Sequence, residues 1–115
     1  MVRPVGDMPV EVPAEVRARF AAAEARLYPL ALADPDGYEL VASVVGVVAD
    51  ELRRTAADVA TVLEHREELI GRVPRLATDA GLDPDGLPLE VVVDAASALR
   101  CRELGASGRT GRPDA

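Results

Sequence analysis

The sequence predicts an all-α protein, a single compact bundle of four to five helices with flexible N- and C-terminal tails. Three observations predict it. Apolar residues recur at steps of three and four along most of the chain, the spacing of one helix face. The periodic stretches open on Pro13, on Asp34-Pro35 and on Pro88, and proline suits a first helical turn because its missing N–H has no partner there. The chain has 115 residues, 49% hydrophobic and 29% charged, a globular balance at the size of one domain. The expected division is a flexible lead over 1–12, a helical domain over 13–105 and a disordered tail over 106–115. The lead contains Pro4, Gly6 and Pro9 without an apolar period, and the tail contains Ser107, Gly108, Gly111 and Pro113.

The first helix starts at Pro13 and turns Val16, Phe20, Ala23, Leu27 and Leu30 inward, with Arg17, Arg19, Glu24 and Arg26 on other sides. Pro29 is expected to kink it or end it near Tyr28, because proline removes a backbone bond and crowds the preceding turn. Asp34 caps the second helix, which runs to about Arg54. Residues 41–49 include five valines, which fits a strand as well. Leu40, Val44, Val48 and Leu52 keep a four-residue step, and the following Asp50-Glu51-Leu52-Arg53-Arg54 favours helix. Its middle is apolar nearly all round, which predicts the central, buried helix of the bundle. Ala42, Gly46 and Ala49 form a small-residue stripe along it.

Thr55 is the expected cap of a third segment, in which Val59, Val62, Leu63, Leu69, Ile70, Val73, Leu76, Ala77 and Ala80 share a face interrupted by Arg66. Residues 56–80 form either one helix kinked near Pro74 or two helices broken at about His65. Gly81 followed by Leu82 reads as a helix C-terminal cap. Asp83-Pro84-Asp85-Gly86 repeats Asp34-Pro35-Asp36-Gly37 at an offset of 49 residues, and capping is the expected role of both. Neither has glycine at the sixth position of a calcium loop. The twelfth position from Asp34 is Val45; from Asp83 it is Asp94 but with Leu87, Leu89 and Val91 at positions five, seven and nine, so calcium is not expected. Beyond the tetrapeptides, few positions coincide, so duplication is not the preferred reading. The last helix starts at Pro88, turns Leu89, Val92, Val93, Ala96 and Leu99 inward, and ends near Gly105.

Composition narrows the function. The formal net charge is −7, and all 13 basic residues are arginine. Nucleic-acid binding draws on released counterions and a basic surface, and an anionic membrane draws on the same charge, so neither is an expected partner. One cysteine, Cys101, and one histidine, His65, exclude an intrachain disulfide and a Cys/His zinc site. The longest apolar run, residues 40–49, falls short of the ~20 residues that span a bilayer. No signal-peptide pattern opens the chain, and a cytoplasmic location is expected. The absence of lysine, asparagine and glutamine matches a GC-rich coding bias and suggests a high-GC bacterium.

No catalytic residues, cofactor or metal ligands are expected. His65 stands among Glu64, Arg66, Glu67 and Glu68 without a recognisable nucleophile motif around Ser43, Ser97 or Cys101. Arg100 and Arg102 favour a thiolate at Cys101, whereas the end of a helix disfavours one, so a structural cysteine is expected. Arg66 is the sharper signal: an arginine in an apolar stripe either points to water where the chain bends or pairs with an acid from another helix. The expected function is therefore an acidic helical protein–protein interaction module, an adaptor, regulator or accessory subunit, that also self-associates as a dimer. Its candidate interface is Val59, Leu63, Arg66, Leu69, Val73, Val92 and Leu99. The alternative is a small ligand-binding or enzymatic bundle with a pocket near Arg66 and His65. A helix-turn-helix regulator around residues 71–81 is a third, thinner reading, with only Arg72 and Arg75 as a recognition surface.

Overall fold

The structure, a computed structural model, describes the backbone of residues 8–110 and the side chains of residues 8–105. It contains five helices: α1 (Ala14–Ala33), α2 (Pro35–Thr55), α3 (Val59–Glu64), α4 (Arg66–Asp79) and α5 (Leu89–Thr110). No strand occurs among the described residues, so the valine-rich stretch is helical. Residues 1–7 of the expected lead and 111–115 of the expected tail lie outside the described residues.

The lead is not free over its last residues. Val12 is in the core, and its N–H donates to the Pro9 carbonyl. Arg17 donates to the Val12 carbonyl from Nε (3.1 Å) and to that of Pro9 from Nη2 (3.2 Å), which holds residues 9–12 against the start of α1. At the other end the helix does not stop near Gly105; its backbone continues to Thr110.

The α1 core face is the expected one, with Val16, Phe20 and Ala23 buried and Leu27 and Leu30 partly so. Pro29 does not end this helix, which continues to Ala33. Pro29 and Ala25 are both exposed, so water can reach the Ala25 carbonyl that the proline leaves without a donor. Asp34 then caps α2, its Oδ1 accepting from the Gly37 N–H at 3.1 Å. A Cβ at Gly37 would lie 2.4 Å from Asp34 Oδ2, so a larger residue there would make the capping carboxylate shift.

The second Asp-Pro-Asp-Gly does not cap a helix. Asp83 Oδ1 accepts from the Asp85 N–H (3.0 Å), and the Leu87 N–H closes a turn onto the Pro84 carbonyl. Gly86 sits in that turn at φ 75°, a left-handed conformation for which glycine is suited. The difference lies downstream. Pro88 disfavours helical geometry at Leu87, and with Gly86 left-handed the chain turns there, so α5 starts at Leu89.

Thr55 ends α2 instead of capping the next helix; Asp58 caps α3, accepting from the Thr61 N–H and Oγ1 at 2.8 and 2.7 Å. Between the two sequence alternatives for 56–80, the chain takes the break at His65, and Pro74 sits inside α4. That continuous α4 leaves no turn for a helix-turn-helix between Gly71 and Gly81. At its end Leu82 N–H bonds the Ala77 carbonyl (2.8 Å) and Gly81 N–H the Thr78 carbonyl (3.0 Å), with Gly81 at φ 81°. This is the expected Schellman cap.

The central helix is α5, not α2. Every residue from Val91 to Ala98 is buried, and α5 packs against each of the other four helices. Ala95, Ala96 and Ala98 keep it slim enough for neighbours to approach on all sides. On α2, Val41, Val44, Val48, Ala49 and Leu52 are buried, while Ala42, Ser43 and Gly46 face solvent. Leu99, expected on the inner face of the last helix, is 38% exposed.

Candidate functional site

The acid partner that Arg66 requires is Asp94, one turn and more into the central helix. Arg66 Nε donates to Asp94 Oδ1 at 2.8 Å and Nη2 to Oδ2 at 3.1 Å, a two-pronged pair across α4 and α5. The Asp94 side chain is 5% exposed and that of Arg66 19%. Arg19 of α1 comes within 3.4 Å of the same Oδ1, and its buried Nε makes no hydrogen bond. One carboxylate on the central helix thus joins two outer helices. The Asp94 bond and charge raise the Arg66 pKa above its ordinary value against the opposing effect of burial.

Other ion pairs are placed similarly between helices. Glu24 of α1 accepts from Arg102 of α5. Glu51 of α2 accepts from Arg54 and, at 2.9 Å, from Arg72 of α4. Arg53 of α2 meets Glu103 of α5 and Asp50 of its own helix. Arg100 donates to the Ala56 carbonyl from Nε and Nη2 at 3.2 and 3.0 Å, tying α5 to the α2–α3 connection.

Two of these carboxyls titrate below their ordinary 4.5: Glu51 chiefly through its bond from Arg54, Glu103 chiefly through its bond from Arg53. A folded-state pKa below the unfolded value contributes stability above pH 4.5, which is lost as pH falls through the lower folded values. Urea midpoints are expected to drop below that pH, and the drop to shrink in a Glu51→Gln, Glu103→Gln double variant.

Cys101 is wholly buried, and burial pushes its thiol up to about 11 despite the charges of Arg100 and Arg102. It is a structural cysteine. At pH 8 it is expected to resist a thiol-reactive dye in the folded protein and to react on unfolding in denaturant.

Of the seven residues expected to form an interface, Val59, Leu69, Val73 and Val92 are core of this chain, at 8, 1, 0 and 0% exposure. Leu63 and Arg66 are half-buried, and Leu99 alone is exposed. The seven therefore provide no continuous outward face: their helical spacing reports burial inside the monomer. His65 lies at the α3–α4 junction, and its side chain makes no hydrogen bond among the described residues. Ser97 and Cys101 are buried in α5 and Ser43 is exposed on α2.

The outward face that does exist is on α1. Ala14, Ala18, Ala21, Ala25, Tyr28 and Leu32, spaced by four and three, are all exposed, Tyr28 by 68% and Leu32 by 71%. At 3.6 residues per turn they lie opposite Val16, Phe20, Ala23, Leu27 and Leu30. The helix's charged residues, Glu15, Arg17, Arg19, Glu24 and Arg26, fall between the two stripes. Ala22 and Pro29 extend the outer one. This stripe carries no charged residue, although Glu15, Arg17 and Arg26 of α1 are also exposed beside it. The sequence reading missed this face because alanine gives little contrast in an apolar period.

A groove also opens between α1 and α5. Its largest section, about 420 Å³, lies where α1, α2 and the 82–88 loop meet, and both Asp-Pro-Asp-Gly segments line it through Asp34, Gly37, Asp85 and Gly86. Smaller sections of 230 and 160 Å³ continue along α5 to Arg66 and Asp94, and Arg26 and Val91 border all three. His65 lines none of them, so the pocket expected near Arg66 and His65 includes only the arginine. Among the described residues no group of three or more His, Cys, Asp or Glu is placed to hold a metal ion, and no helix is long and apolar enough to cross a membrane. No protein-family model, curated protein or solved structure matches the chain.

Proposed function

We propose that this protein is a helical protein–protein interaction module that docks through the outer face of α1, and that a second copy of the chain occupies that face. The observation that carries the reading is the uncharged, exposed stripe from Ala14 to Leu32 on a chain that is 29% charged. Leaving such a face in water is unfavourable, and apolar faces of this kind mark docking sites.

Self-pairing is favoured by the distribution of volume along the stripe. If two α1 helices cross antiparallel about a two-fold axis near Ala23, Leu32 opposes Ala14 and Tyr28 opposes Ala18. Ala21 then opposes Ala25. Each large side chain meets a small one, as an isologous contact requires. The alanines in the middle let the backbones come close. A helix of 20 residues is ~30 Å long, so a strip roughly 10 Å wide covers on the order of 300 Å² per protomer. That is below the ~800 Å² per partner of a stable complex, so the dimer is a reversible one. The −7 charge favours protein over nucleic acid or an anionic membrane as partner. The proposal includes a cytoplasmic location for the module.

Sedimentation velocity across a wide concentration range tests the proposal. The wild type is expected to shift from monomer to dimer as concentration rises. Ala21→Glu and Ala25→Glu, which place carboxylates at the centre of the strip, are expected to remain monomeric with unchanged melting temperature. A wild type that stays monomeric throughout, or variants that dimerise as well as it does, would overturn the assignment.

A further inference from the structure

We infer that the groove between α1 and α5 binds a small amphipathic anion, with its apolar body in the 420 Å³ section and its anionic head at Arg26. The volume lies within the ~300–1,000 Å³ of small-ligand sites. Leu27, Leu30, Leu40, Val41, Leu87 and Val91 make the walls of that section predominantly aliphatic. Such walls take hydrocarbon and reject a wholly polar ligand.

The head group follows from the charges that border the groove. Among the described residues Arg26 and Arg75 make no hydrogen bond or ion pair, whereas Arg17, Arg53, Arg54, Arg66, Arg72, Arg100 and Arg102 all donate to protein oxygens, and of the two only Arg26 borders the groove. Arg26 borders every section of the groove. At the α5 end it is joined by Arg19, whose buried Nε lacks an acceptor, and by Arg66. The acids there are Glu90, which is exposed, and Asp94, whose two oxygens are already taken by Arg66. Arg66 is held by Asp94 and by Glu67 (3.3 Å), and Arg19 stands 3.4 Å from Asp94, so Arg26 is the arginine bordering the groove that has no protein acceptor among the described residues.

Asp34 and Asp85 border the far end of the large section. Asp34 accepts the Gly37 N–H that caps α2, and both carboxylates repel an anion. The polarity of the ligand is thereby set: hydrocarbon towards the two turns, head towards Arg26. An aliphatic or aryl carboxylate fits this arrangement, and a neutral or cationic amphiphile of the same length does not. The site is independent of the outer face of α1, since Arg26 and Leu27 lie on its flank and inner side.

Calorimetric titration of the full chain with decanoate, and with decanol as its neutral counterpart, tests the inference. Decanoate is expected to bind saturably at one site and more tightly than decanol. Arg26→Ala is expected to weaken decanoate at least about tenfold, the effect of losing a charged hydrogen bond. Because Arg26 bonds to nothing among the described residues, the variant is expected to melt like the wild type. Arg75→Ala, which removes an exposed arginine of α4 remote from the groove, is expected to leave affinity unchanged. Leu40→Trp, which fills the apolar section, is expected to abolish binding. Ala25→Glu is expected to retain it, so failure of the dimer and failure of the groove are distinguishable. The inference is overturned if decanoate shows no saturable binding, if decanol binds equally well, or if Arg26→Ala binds as the wild type does.

Discussion

Asp94→Ala is expected to destabilise the protein by about 3–5 kcal/mol, the cost of removing one member of a buried, two-pronged ion pair. The carboxylate is 5% exposed and the only acceptor that both Arg66 and Arg19 approach at that point. Without it, the half-buried Arg66 guanidinium keeps only the exposed Glu67 carboxylate (3.3 Å) as acceptor, and α1 and α4 lose their shared anchor on α5. Domains of this size have total stabilities of only about 5–15 kcal/mol, so the variant is expected to be partly unfolded near body temperature. Chemical denaturation of the single variants beside an Arg66→Met, Asp94→Leu double variant checks the mechanism. The double variant is expected to recover most of the loss, because hydrophobic residues of similar volume remove both charges together. If Asp94→Ala costs less than 1 kcal/mol, water already solvates the pair and the anchor is nominal.

Phe20→Ala is expected to cost about 3–5 kcal/mol through lost burial and the cavity it leaves. Phe20 is the only phenylalanine of the chain, is 2% exposed, and stands at the centre of the inner stripe of α1. Its neighbour Ala21 faces the other way. The contrast between adjacent positions separates packing from docking: Phe20→Ala is expected to lower the urea midpoint strongly, Ala21→Glu to leave it in place. Equal destabilisation by both would mean that α1 is covered on its two sides within the monomer, contrary to the exposure of Tyr28 and Leu32.

Much of the secondary structure was legible because it rests on local rules. The Pro13 and Asp34-Pro35 starts, the Gly81-Leu82 cap and the four-residue step of Val44, Val48 and Leu52 each involve groups within a turn or two of one another. The errors fall where local rules are silent. Pro29 resides in a helix because its exposed side lets water replace the missing bond. The two Asp-Pro-Asp-Gly segments differ because Pro88 follows only one of them, and that signal could have been read. The seven interface candidates were chosen for helical spacing, which identifies an apolar face and does not say whether the same chain or another covers it. The outer face of α1 was hidden for a related reason: a helix apolar on opposite sides shows little periodicity, and alanine weakens it further.

The sequence by itself determined the all-α class, nearly all the helices and the acidic composition, and it marked Arg66 as either solvated or paired with an acid. Local hydrogen bonding, side-chain volume and charge suffice for those. Only the tertiary structure decided that the partner is Asp94, that α5 and not α2 is central, and that both turns meet at one groove bordered by Arg26. Each of these depends on which of several apolar faces pack together, and that choice is made by shape and volume summed over residues far apart in the chain.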